Sequence, residues 1–151
     1  MTTDTITPTA VSNPASTTRT VVIEREFPHP PEKLWRALTE SPLLAQWLLP
    51  NDFARVGGKA FQFRADPVPN WNGIIDCQVL AVDPLKQLSY TWSSFGIGSV
   101  VLFTLTPAAS GTHLRMEHSG FAANQDAAYK GATYGWQKFL GNLERVVEGL
   151  V

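Results

Sequence analysis

The C-terminal segment constrains the fold most. Ala132, Trp136, Phe139, Leu140, Leu143, Val147 and Leu150 follow one another largely in steps of three and four. That spacing sets them in one stripe along a helix. It predicts a single long helix over residues 124–151, with Asn124 as its cap and Asp126 placing negative charge in the first turn. The stripe is wide and aromatic, so it needs an equally broad apolar surface to cover it.

Residues 20–120 supply that surface as short alternating strands. Residues 20–27 put Val21, Ile23, Arg25 and Phe27 on one face. Pro28, Pro30 and Pro31 end this strand, and Pro31 can open a helix over residues 31–39 with Leu34, Trp35 and Leu38 inward. Ser41-Pro42 repeats the start signal for a second short helix carrying Leu43, Leu44 and Trp47, with Ser41 as its cap. Five further strands are expected over residues 59–65, 73–82, 87–92, 99–106 and 112–119, with residues 93–98 as a glycine-containing connection. Their short turns predict an antiparallel meander. The fold class is therefore α+β: a curved antiparallel sheet wrapped around the long helix, with two short helices after the first strand. A curved sheet over one helix leaves a concave apolar space, which is where a small ligand binds by default.

Composition narrows the function classes. At 151 residues and 44% hydrophobic, the chain suits one core, and its net charge of −1 offers nothing to nucleic acid or an anionic membrane. No apolar run approaches the roughly 20 residues of a membrane span. Cys77 is the only cysteine and His29, His113 and His118 show no ligand spacing, so neither metal nor cofactor is expected. Residues 1–18 are rich in Thr, Ser, Pro and Ala and are expected to be a disordered tail ahead of a domain at 19–151. No signal peptide is evident, and a cytoplasmic protein, monomer or homodimer, is expected.

Several runs, in order, resemble one domain family. They are Pro30-Pro31-Glu32-Lys33-Leu34-Trp35, Leu44-Ala45-Gln46-Trp47, Val56-Gly57-Gly58-Lys59, Val82-Asp83-Pro84, Tyr90-Thr91-Trp92, His118-Ser119-Gly120-Phe121 and Gly135-Trp136. The family is named after the activator of the heat-shock-protein-90 ATPase and belongs to the START-like, or SRPBCC, superfamily of helix-grip folds. The resemblance covers all but the tail and implies a sheet gripping the last helix around an apolar cavity. It implies no shared catalytic set. The eukaryotic co-chaperone carries an additional N-terminal domain that contacts the chaperone, and nothing in this sequence corresponds to it, so a chaperone partner is not the first expectation; a chaperone-interaction module that binds proteins by its surface stays as an alternative to ligand binding.

The expected ligand is a small apolar or aromatic molecule. The expected ligand-binding residues are Trp47, Phe61, Phe63, Trp71, Tyr90, Trp92, Phe103, Met116, His118, Trp136, Phe139 and Leu140. Large rigid rings line ligand pockets well, and the same rings also fill cores. His118 has two readings: a pocket group that orients a ligand or moves a proton, or a buried histidine satisfied by a neighbouring hydroxyl or backbone group. An enzyme of the cyclase, aromatase or hydrolase type would use His118 with Tyr90; a Cys77–His118 pair requires neighbouring strands. Arg25 either pairs with a carboxylate or meets a ligand's acid group. Gly131, Gly135 and Gly141 inside the helix each cost roughly 1 kcal/mol relative to Ala. Close approach to the sheet, a kink or room for a ligand would account for them.

Overall fold

A computed structural model describes residues 18–150. In chain order the elements are β1 (Thr18–Phe27), α1 (Pro31–Thr39), α2 (Ser41–Trp47), β2 (Ala60–Arg64), β3 (Ile74–Asp83), β4 (Gln87–Ser94), β5 (Ile97–Ala108), β6 (Gly111–Ala122) and α3 (Asp126–Glu148). All six strands form one antiparallel sheet in the order β1-β6-β5-β4-β3-β2. The meander runs β2 to β6, and β1 closes the far edge against β6. This is the helix-grip architecture expected from the element order. Of the expected tail, only Thr18 is described, and it already belongs to β1; residues 1–17 lie outside the described residues.

Each helix starts as local chemistry dictates, with two departures from expectation. Pro31 sits at the first position of α1, where its missing N–H costs nothing. Ser41 does not cap α2. It lies inside the helix, and its hydroxyl donates to the carbonyl and side-chain oxygens of Asn51, tying α2 to the chain entering β2. Asn124 does not cap α3 either. Gln125 holds that position without a side-chain cap, and its Oε1 instead accepts the Ala122 N–H at 2.7 Å. The helix is also shorter than expected, ending at Glu148 with Gly149 as C-cap.

Two local irregularities position the site. β4 and β5 are joined by a two-residue turn, tighter than the six-residue connection expected. Phe95 (φ 55°) and Gly96 (φ 74°) both adopt the left-handed region that such a hairpin requires. Along β6, the pairing with β1 skips a residue: Thr20 faces Ser119 and Arg19 faces Phe121. The skipped residue is Gly120 at φ 108°, a bulge in which a Cβ would press against Ser99 Cα at 3.3 Å. Leu114, Met116 and His118 point inward by simple alternation. The bulge resets the phase, so Phe121 points inward too.

The core divides along α3. Toward its C-terminal half, Leu140, Leu143 and Val147 are buried, and α1 and α2 close over the same end. Trp47, Phe53, Phe61, Phe63, Tyr90 and Phe103 interlock there at ring-centroid distances of 5.1–6.2 Å. The Trp47 indole N–H donates to the Ala37 carbonyl at 2.8 Å, which satisfies its one polar atom inside the core. Toward the N-terminal half of α3 the packing stops short, and a cavity remains.

Candidate ligand cavity

The cavity has a volume of about 510 Å³, within the size range of small-molecule sites. Trp92 on β4, Ser99 and Ile97 on β5, and His118 and Phe121 on β6 form the sheet wall. Ala127, Ala128, Gly131, Ala132, Gly135, Trp136 and Phe139 of α3 form the opposite wall. Leu49, Ala65 and Ile75 close one side. Trp71, from the loop between β2 and β3, and Phe95, from the β4–β5 turn, stack at 4.9 Å and 24° between planes, with Ser94 beside them in sequence. No lining residue carries a carboxylate, ammonium or guanidinium.

Five of the twelve expected residues line this space: Trp71, Trp92, His118, Trp136 and Phe139. The other seven, Trp47, Phe61, Phe63, Tyr90, Phe103, Met116 and Leu140, are buried in the packed part of the interface and do not line it. Both readings of the aromatic set thus hold, for different members. Leu49, Phe95, Ser99, Phe121 and the α3 alanines were not anticipated as lining, whereas room for a ligand was one account of the glycines Gly131 and Gly135. Phe121 is hidden from strand alternation by the Gly120 bulge. The run Ala127, Ala128, Gly131, Ala132, Gly135 is legible as a small-residue helix face.

His118 is 2% exposed and fully engaged. The Trp136 indole donates to its Nδ1 at 2.8 Å. An indole nitrogen only donates, so Nδ1 carries no proton and Nε2 must. Nε2 then donates to Ser99 Oγ at 2.7 Å, and Ser99 donates onward to the Trp92 carbonyl at 2.7 Å. The chain Trp136–His118–Ser99–Trp92 therefore runs one way, from the Trp136 ring on the helix to the β4 main chain, and fixes the indole against the sheet. Burial pushes the imidazole pKa down to about 4. Protonation at Nδ1 would set two donors against each other. His118 is thus a neutral brace, satisfied by a hydroxyl as one of its readings held, with neither nitrogen left for proton transfer.

The other polar candidates are not assembled with it. Tyr90 is completely buried among phenyl rings, its hydroxyl has no partner, and desolvation holds its pKa well above the ordinary phenol value. Cys77 lies on β3, separated from β6 by β4 and β5, so no Cys77–His118 pair forms; burial first, then Asp76 and Asp52, pushes its thiol up to about 12. Arg25 donates to Glu144 at 2.7 Å, bracing β1 against α3 away from the cavity. Among the described residues no group of three or more His, Cys, Asp and Glu is placed to hold a metal ion, and no helix is long and apolar enough to cross a membrane.

A six-stranded sheet gripping one helix around an apolar hollow defines a helix-grip domain of the START-like, or SRPBCC, kind. The chain belongs to the family of Activator of Hsp90 ATPase homolog 1-like proteins, whose model matches residues 28–148. Among solved structures, protein MLL2253 from Mesorhizobium loti is 52% identical with a TM-score of 0.81, covering 86% of this chain and 97% of its own. Protein BH1534 from Bacillus halodurans is 27% identical at a TM-score of 0.73, covering 85% and 96%. DynU16, from the dynemicin biosynthetic locus, is 25% identical at a TM-score of 0.74, and the match spans 86% of this chain but 47% of that one. No curated protein matches the chain.

Proposed function

We propose that this protein binds a small apolar or aromatic molecule between α3 and the sheet, and that it binds without turning the molecule over. The carrying observation is the uncharged, ring-lined hollow of about 510 Å³. Empty apolar space of this size forfeits the dispersion contacts that a filled core would have, and a ligand restores them. The commitment of both His118 nitrogens to Trp136 and Ser99 supports binding over catalysis, because no general base faces the lumen.

Trp71, Trp92 and Trp136 report on the site directly. Titration with the neutral probe N-phenyl-1-naphthylamine is expected to quench tryptophan emission saturably and to raise the melting temperature. Native mass spectrometry of freshly purified protein is expected to show a co-purified small molecule. Absence of both signals would overturn the reading. It places the activity inside the domain, so no stimulation of a heat-shock-protein-90 ATPase is expected; a saturable rise in ATP turnover would redirect it toward a chaperone.

A further inference from the structure

We propose that the cavity selects an uncharged ring compound carrying a hydrogen-bond acceptor, and that the Trp71 indole N–H and the Ser94 hydroxyl hold that acceptor. This rests on the ligand-binding reading above and narrows it.

Charge is the first filter. A carboxylate, phosphate or ammonium entering this space would lose its hydration shell and find no opposite charge among the lining side chains. His118 cannot supply one. Its Nδ1 faces the Trp136 donor, and its Nε2 proton is committed to Ser99.

Unspent polar atoms are the second filter. Ser99 both receives from His118 and donates to the Trp92 carbonyl. That leaves Trp71 Nε1 and Ser94 Oγ, which are buried and without a partner. Buried polar groups are nearly always paired, and these two orphans, unlike the Tyr90 hydroxyl in the packed core, sit on residues lining one cavity, where a ligand can supply the partner. An indole N–H can only donate, so the partner must accept. Neither atom presents surface to solvent, so water does not reach them in this conformation. Phe95, the other half of the stack, is 67% exposed, and its outward swing gives up little packing. Both atoms belong to residues that line the cavity beside this exposed ring, where an acceptor carried by the ligand can take the indole proton.

Matched probes test this: fluorene, 9-fluorenone and fluorene-9-carboxylate, titrated by calorimetry into wild type, Trp71→Phe and Ser94→Ala. Trp71→Phe keeps the ring that stacks on Phe95 and removes only the donor. In wild type, 9-fluorenone is expected to bind about tenfold tighter than fluorene, the scale of one to two net hydrogen bonds. The carboxylate should bind at least about tenfold weaker than the ketone. The ketone-to-hydrocarbon preference should fall about threefold in each variant. If Trp71→Phe fails to fold, Ser94→Ala decides. A preference unchanged in the variants, or a carboxylate that binds as well as the ketone, overturns this inference while leaving the cavity reading intact. If none of the three binds wild type while N-phenyl-1-naphthylamine does, this inference falls and the cavity reading stands; if that probe fails as well and no small molecule co-purifies, both fall.

Discussion

The His118 brace makes stability depend on pH in a defined window. Its pKa is about 4 in the folded protein against 6.5 for the free side chain, with burial as the cause. The fold therefore favours the neutral ring, and the unfolded chain binds the extra proton first. The sign follows: this stabilisation is complete above about pH 6.5 and is lost as pH falls toward 4, below which the folded state protonates as well. Lowering the pKa from 6.5 to about 4, at roughly 1.4 kcal/mol per pH decade, corresponds to about 3.5 kcal/mol across the window. Other groups titrate elsewhere. His113, between Glu24 and Glu26 on the exposed sheet face, has a raised pKa, so its contribution is lost above pH 6.5. Asp126 is held low by Arg19 and Lys130, so its contribution is lost only in stronger acid. Urea unfolding between pH 4.5 and 7.5 should show stability falling with acid in wild type. His118→Asn keeps an acceptor near Trp136 but cannot titrate, so it should start less stable at about pH 6.5 and show a nearly flat profile from there down to about pH 4.5. Equal slopes in the two proteins would refute the buried, neutral assignment.

Three further outcomes are expected. Gly131→Ala and Gly141→Ala should each stabilise α3 by about 1 kcal/mol, since an added Cβ meets nothing within 4 Å at either site; thermal melts read this. Only Gly131→Ala should weaken N-phenyl-1-naphthylamine binding, because Gly131 lines the cavity and Gly141 does not. Trp136→Ala removes a cavity wall and leaves His118 Nδ1 unpaired, which should cost about 3–5 kcal/mol in denaturant unfolding; retained probe affinity would take Trp136 out of the site. Glu144→Ala breaks a partly exposed pair with Arg25 and should cost below about 1 kcal/mol, with the effect shrinking as salt rises.

The element order, the inward faces and the long helix were legible because hydrophobic period reports them directly. Val21 and Phe27 of β1, Leu34 and Leu38 of α1, and Leu114, Met116 and His118 of β6 all sit where alternation or helical spacing put them. Features set by single-residue backbone geometry were not legible. Phe95 carries no signal for positive φ, so the β4–β5 turn looked like a longer loop. Gly120 could mark a turn as readily as a bulge, and the bulge decides that Phe121 joins His118. Ser99 was invisible as the partner of His118 because strand pairing, not sequence spacing, brings β5 beside β6. The division of the aromatics between packed core and cavity wall was equally closed to pattern reading. Phe63 and Trp92 both lie on inward strand faces and pack at 5.3 Å, yet only Trp92 reaches the hollow.

What separates the two ends of the interface is the helix, not the sheet. The sheet brings large rings to both. Opposite them, α3 presents Leu140, Leu143 and Val147 at one end and Ala127, Ala128, Gly131, Ala132 and Gly135 at the other. Side chains of the first kind fill the gap to native density; those of the second leave it open. Two glycines within that face also weaken the helix, by roughly 1 kcal/mol each relative to alanine. Neither close approach nor a clash accounts for them: at Gly131 a Cβ would meet nothing, and at Gly135 only the Phe139 ring at 3.8 Å. Both losses, of burial and of helix propensity, fall at the cavity wall, beside the Trp92–Trp136 ring contact at 5.4 Å and the His118 brace on the Trp136 indole. The hollow is therefore written into the composition of α3, and the hydrogen-bond chain through His118 fixes the Trp136 indole at its edge, which is the arrangement expected of a binding space rather than of a poorly filled core.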